Sequence, residues 1–214
     1  EISLLAVCDG QTAVPLASAQ DFKRLKDQDE GPNTGGMGAY SPVPFFEENL
    51  VKKIMDIAVI PTLEALKRKG IDYRGVLYCG LMITPDGPKV LEYNARFGDP
   101  ETQVVIPRLK TDLAELLASA ASGSINSEPI FSNEAAVAVV CASESYPENP
   151  RIGDFIEGLS LVQKMKGINI FFSGVGRSND GLVTDGGRVL TITGMGATLE
   201  KARKLTYEAV SKIS

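Results

Sequence analysis

Glu92, Asn94 and Arg96 recur at every second position in KVLEYNARFGDPETQ, residues 89–103. A strand turns alternate side chains to opposite faces. This spacing therefore predicts a carboxylate, an amide oxygen and a guanidinium on one side, with Leu91, Tyr93, Ala95 and Phe97 as core on the other. Hard oxygen donors beside a bidentate cation suit a divalent ion carrying a polyphosphate. A half-exposed strand with a charged face has the same pattern, so the alternation alone leaves both readings open. In GPNTGGMG, residues 31–38, glycines allow backbone N–H groups to approach an anion, and Asn33 and Thr34 add side-chain partners. The run has neither the Gly-Lys-Ser/Thr ending of a P-loop nor the dinucleotide glycine fingerprint, and a plain turn-rich loop also fits it. Asp21-Phe22-Lys23-Arg24 sets a carboxylate beside two cations. Lys23 and Arg24 suit phosphate or carboxylate oxygens and Asp21 an amine, a solvated charge cluster being the other reading. Thr184-Asp185-Gly186-Gly187-Arg188 reads first as a hairpin turn, with Arg188 as an anion contact.

Composition narrows the chemistry. The 214 residues include no histidine, which excludes Ser-His-Asp triads, Cys-His dyads and His-Glu-x-x-His zinc sites. A general acid or base here is a carboxylate, lysine, tyrosine or cysteine. With three cysteines in the chain, a bound metal is expected to be a hard, oxygen-liking cation. The 22 basic and 27 acidic residues, net charge −5, are interspersed, which argues against a nucleic-acid surface. No apolar run is long enough for a membrane span and no signal peptide is evident. Cys8, Cys79 and Cys141 sit far apart in strand-like runs, as reduced thiols of a cytoplasmic protein would.

Two blocks of structure are expected to position these residues. Ser3–Cys8 and Thr12–Ala19 read as strands around an Asp9-Gly10 turn, and residues 20–41 as a long polar loop of the kind usually tied to function. Leu50, Ile54, Ile57, Leu63 and Leu66 recur at helical spacing between Phe45 and Lys69, with Pro61 as a kink or the start of a second helical piece and Gly70 as the stop. Strands are expected at 75–84 and 89–97 around Pro85-Asp86-Gly87, then a helix to about Ser122 capped by Thr111 with Asp112 in its first turn. The small, polar stretch 123–133 predicts a domain boundary. Beyond it, Ala135–Ala142 reads as a buried strand, with further strands near 168–173 and 188–193 and an amphipathic helix over 199–213. The loop that begins at Tyr146 carries no assignable chemistry.

In this order, QDFKR, GPNTGGMGAYSP, LYCGLM, EYNARFGDPETQ and TDGGRVL resemble the glycinamide ribonucleotide synthetase family. These phosphoribosylamine–glycine ligases are ATP-grasp enzymes of purine biosynthesis. The resemblance implies an α+β fold: the C-terminal part of an ATP-grasp domain, an antiparallel sheet with helices, over 1–125, and a small α/β C-terminal domain over 126–214 that closes over the substrates. It implies ATP-dependent ligation of glycine to 5-phosphoribosylamine through a glycyl phosphate. Glu92 and Asn94 fall at the positions that bind Mg²⁺ or Mn²⁺. Glu1, Arg24 and Asn33 fall at nucleotide contacts, and Gly35 and Gly36 would offer backbone donors beside the transferring phosphate. Asp21, Lys23 and Arg96 are the implied catalytic residues; Asp21, Arg96, Gly98, Asp99 and Arg188 the implied substrate contacts. The chain then reads as the back half of the enzyme. A nucleotide-fold domain and the first ATP-grasp half are expected before Glu1, a short stretch after Ser214, and little ligase activity from this part alone. A non-catalytic nucleotide-binding module of the same descent is the alternative, though the intact Glu92 and Asn94 speak against decay. Family members commonly carry histidine where this chain has Phe22 and Phe172, so substrate binding or proton handling is expected to differ there.

Overall fold

The Asp9-Gly10 turn acts as its sequence signals. β1 (Ile2–Asp9) returns as β2 (Ala13–Pro15), antiparallel, with Ala6 opposite Pro15. In the computed structural model, which describes all 214 residues, the expected polar loop is instead two strands, β3 (Gln20–Lys26) and β4 (Glu30–Ser41). Next come α1 (Glu48–Ile54), a π-helical turn over Met55–Val59, and α2 (Ile60–Arg68). The wider turn sits where Pro61 has no N–H to return to the preceding turn. β5 (Arg74–Thr84) and β6 (Gly87–Asn94) follow, and β6 stops before Arg96, which is therefore not a strand residue. After α3 (Thr102–Val105), α4 (Leu113–Ser122) is capped by Asp112, whose Oδ1 accepts the Glu115 N–H at 3.0 Å. Thr111, the expected cap, instead accepts the Ile130 N–H on its hydroxyl.

The remainder runs β7 (Ala135–Ala142), α5 (Leu159–Val162), β8 (Ile168–Phe172), β9 (Val175–Arg177), β10 (Leu182–Thr184), β11 (Arg188–Gly196) and α6 (Leu199–Val210). The expected Thr184–Arg188 hairpin is absent. β10 pairs with β9, whereas β11 lies between β7 and β8. No helix is long and apolar enough to cross a membrane.

One unit comprises Glu1–Gln20 with Ser41–Ser132. Its sheet has the order β2-β1-β5-β6, and β1 is buried along its whole length, with α4 packed on β1 and β5. Cys8 and Cys79 are free and buried here, and burial pushes their thiols up to about 12 and about 11. Buried Arg108 donates to the Ser41 hydroxyl at 2.6 Å and to the Ser132 carbonyl at 3.2 Å, fixing the residues at which the chain re-enters and leaves this unit.

Asp9 ties the first hairpin to the segment after α4. Its Oδ1 accepts the N–H groups of Gln11 and Thr12, and its Oδ2 that of Ile125. Burial alone raises its pKa, but these three donors outweigh burial and bring it from 3.8 to about 2. A depressed carboxyl stabilises the fold fully above its unfolded value, and the gain is lost as pH falls through the folded value. Denaturation midpoints are expected to fall between pH 4 and pH 2, by the equivalent of about 2 kcal/mol at this residue. Asp9→Asn should flatten that part of the profile, and an unchanged profile would count against the assignment.

The second unit comprises Asp21–Tyr40 with Asn133–Ser214. Its sheet has the order β3-β4-β7-β11-β8, with α6 packed against β7 and β11. A single boundary near residue 126 puts 21–40 with the first part of the chain. In the structure, pairing of β4 with β7 carries that hairpin into the second unit. Val162, Val189, Leu190, Ile192 and Ala209 form its core, with Leu159 and Ile213 against them.

Candidate active site

The sequence-predicted residues fall into two clusters, one in each unit. In the first unit, antiparallel pairing sets Glu92 opposite Gly80 and Asn94 opposite Tyr78, so these four share one face of the β5–β6 ladder. A register shift follows at once: Gly80 faces Glu92, but Leu81 faces Val90. The extra residue is a β-bulge, a device that re-aims side chains at the edges of sheets. A Cβ on Gly80 would come within 3.0 Å of the Glu92 Cγ. Glycine there leaves the space that the Glu92 side chain occupies. Behind it, Tyr78 and Ser3 hydroxyls lie 2.8 Å apart and both donate to Oε1 of buried Glu101, at 2.8 and 3.0 Å. This buried trio stiffens the platform, and Glu101, Tyr78 and Gly80 were not singled out by the sequence.

The far face of β6 departs from expectation. Leu91 and Tyr93 are 51% and 41% exposed, not core. β6 is the edge strand, and Tyr93 reaches only the flank of the helical pair, donating its hydroxyl to the Ala58 carbonyl. Arg96 lies beyond the strand, exposed, with Nη1 on the Phe97 carbonyl at 2.9 Å. Gly98 is buried; Asp99 is exposed and accepts from Gln103 Nε2; Glu1 is exposed just before β1.

Glu92 and Asn94 supply two hard oxygens on one face, and no group of three or more His, Cys, Asp or Glu forms a metal cage. That donor set suits Mg²⁺, which keeps several waters and takes one or two protein ligands together with phosphate oxygens.

In the second unit, Asp21 is 9% exposed and grips Lys23 with both oxygens, at 2.8 and 3.0 Å. The amine held by Asp21 in this structure is thus the ammonium two residues along β3. Arg24 leaves on the opposite face and donates to the Gly31 carbonyl at 2.7 Å, while Asn33 is exposed.

The glycine run within β4 is built differently from the expected phosphate cradle. The Gly35 N–H donates to the Tyr146 hydroxyl at 3.0 Å, and the Gly36 N–H to Thr34 Oγ1 at 3.0 Å. Thr34 in turn donates to the Lys23 carbonyl. Arg188 Nη1 donates to the carbonyls of Gly35 at 2.8 Å and Gly36 at 3.4 Å. Both amides are therefore engaged within the unit, as backbone groups of an ordered strand tend to be. A Cβ on Gly35 would lie 2.9 Å from the Arg188 Cζ, so the glycine admits the guanidinium. The structure brings together Lys23, Thr34, Gly35, Gly36 and Arg188, and adds Tyr146, which sequence reasoning left without a role.

Comparison with known proteins gives matches along the whole chain. Residues 1–102 match the phosphoribosylglycinamide synthetase ATP-grasp (A) domain, and residues 136–214 the C domain of the same synthetase. The chain is 51% identical over 217 residues to a phosphoribosylamine–glycine ligase of Streptomyces coelicolor, covering 100% of this chain and 52% of that protein. It is 47% identical over 216 residues to the trifunctional purine biosynthetic protein adenosine-3 of Gallus gallus, covering 100% of this chain and 21% of that protein. A crystal structure of a phosphoribosylamine–glycine ligase from Thermotoga maritima superposes with a TM-score of 0.90 at 38% identity, over 100% of this chain and 52% of that one. The chain spans about half the length of the curated phosphoribosylamine–glycine ligases it matches. With both domains matched in order and the whole chain aligned, it belongs to the phosphoribosylglycinamide synthetase family.

Proposed function

We propose that this chain is the C-terminal part of a cytoplasmic, ATP-dependent phosphoribosylamine–glycine ligase of purine biosynthesis. The terminal phosphoryl group of ATP passes to the glycine carboxylate, giving glycyl phosphate and ADP. The amine of 5-phosphoribosylamine then attacks the acyl carbon; phosphate leaves, a proton is lost, and glycinamide ribonucleotide forms. The observation that carries this reading is the Glu92–Asn94 pair above Gly80, within the segment matching the ATP-grasp domain.

On this reading Glu92 and Asn94 hold Mg²⁺, or Mn²⁺ in its place. When bound, the ion neutralises charge on the phosphate oxygens. Phosphoryl transfer rests on positioning and charge compensation, so a chain without histidine suffices for it. Glu1, Arg24 and Asn33 orient the nucleotide, and Arg96 offsets charge on the transferring group. The Asp21–Lys23 pair, Gly98, Asp99 and Arg188 position glycine and 5-phosphoribosylamine. Gly35 and Gly36 contribute through their carbonyls, which orient Arg188. The remaining partner is the N-terminal portion of the same enzyme, supported by relatives of about twice this length.

The full-length protein, given ATP, Mg²⁺, glycine and fresh 5-phosphoribosylamine, is expected to form glycinamide ribonucleotide with equimolar ADP and phosphate, read by mass spectrometry and coupled assay. ATP hydrolysis without the amide product would overturn the reading. The 214-residue chain alone is expected to show little or no turnover in the same mixture.

A further inference from the structure

Tyr146 and Arg188 hold the two sides of one residue, Gly35. Tyr146 comes from the connection after β7 and Arg188 opens β11; 111 and 153 residues respectively separate them from Gly35. The phenol oxygen accepts the Gly35 N–H, and the guanidinium donates to the Gly35 carbonyl. The Gly35 N–H lies in the peptide plane shared with Thr34, and the Gly35 carbonyl in the next plane, whose own N–H, that of Gly36, is held by Thr34 Oγ1. With both planes pinned on either side of its Cα, Gly35 has a fixed carbonyl direction, and Tyr146 supplies one of the two pins. The direction of that carbonyl sets where the Arg188 guanidinium lies. The Tyr146 loop is itself anchored beside Arg188: the Ser143 N–H donates to the Gly187 carbonyl at 2.9 Å, and the Tyr146 N–H to the Ser143 carbonyl at 3.2 Å.

We propose that Tyr146 is a positioning residue that, by pinning Gly35, orients Arg188 to receive an anionic oxygen of phosphate or carboxylate type. The inference rests on the ligase reading only in taking Arg188 as an anion contact. It makes Tyr146 part of the substrate machinery without any contact between Tyr146 and substrate. Losing the phenol oxygen removes one hydrogen bond, and a bond of this kind contributes about 1 kcal/mol, or roughly fivefold in an affinity.

The test is Tyr146→Phe in the full-length protein, with inorganic phosphate as the probe and ¹⁵N-glycine labelling as the reporter. Exchange of the Gly35 amide hydrogen is expected to accelerate, with the amides of the β7–β11 ladder unchanged. Phosphate affinity should fall roughly fivefold. Arg188→Lys should lower it at least as far, and adding Tyr146→Phe to Arg188→Lys should cause no further loss, since both act through one orientation. Multiplying losses in the double variant, an unchanged Gly35 exchange rate, or phosphate binding indifferent to Tyr146→Phe would each overturn the proposal. So would a wild type that does not bind phosphate. Ligation turnover is scored separately, so failure of the ligase reading gives a different result from failure of this one.

Discussion

Glu92→Ala in the full-length protein is expected to abolish Mg²⁺-dependent ATP binding and to lower ligation by about 100-fold or more, since even a residue one shell out from a metal commonly costs 10–100-fold. The side chain is exposed and sits on an edge strand. Thermal stability should therefore stay within about 0.5 kcal/mol of wild type. Loss of function with stability kept is the signature of a ligand and not of a strut. Gly80→Ala supplies the graded control. It keeps the carboxylate but adds a Cβ 3.0 Å from the Glu92 Cγ and 3.4 Å from the Tyr78 ring, so Glu92 must shift by a few tenths of an ångström. Activity should fall by less than in Glu92→Ala, and the Mg²⁺ concentration for half-activation should rise. ATP binding that stays Mg²⁺-dependent in Glu92→Ala would refute the metal role. Full activity in Gly80→Ala would show that the carboxylate tolerates displacement.

The Glu92–Asn94 arrangement was legible because it depends on a period of two and nothing else. The alternation failed where neighbours decide. Leu91 and Tyr93 look like core residues, yet an edge strand has nothing beyond it to bury them. Arg96 continues the spacing, but the strand ends two residues earlier. The stretch 20–41 lacked apolar alternation and read as a loop, although its glycines are what β7 needs in a close neighbour. A Cβ on Gly38 would lie 2.7 Å from the Ala138 carbonyl oxygen. Asp185-Gly186 carried a hairpin signal, yet the strands on either side joined different sheets. Tyr146 could not be found from local pattern at all. Its hydroxyl accepts a hydrogen bond from a residue 111 positions away, and nothing in a lone sequence pairs the two.

Gly158→Ala is expected to produce the largest loss of stability in the second unit, about 3 kcal/mol or more, from two terms that can be separated. Gly158 has φ +83° and ψ −12° and precedes α5. An L-residue in that left-handed conformation costs roughly 1–2 kcal/mol. The second term is contact with backbone. The added Cβ would sit 1.7 Å from the Lys212 carbonyl oxygen and 2.8 Å from its carbon, so the segment 212–214 has to move away. That movement breaks the bond from the Glu157 N–H to the Ser214 carbonyl and draws Ile213 off the core that includes Leu159 and Val162. Gly153 isolates the first term within the same unit, because its φ is +90° but nothing lies within 4 Å of an added Cβ. Gly153→Ala should cost only the conformational term. In a domain of this size 1 kcal/mol corresponds to roughly 4–8 °C in thermal midpoint, so the two variants should differ by about 10 °C. Equal losses would mean that the C-terminal segment yields freely. A difference of the expected size would establish that its packing over Gly158 helps to hold together the sheet that carries Arg188.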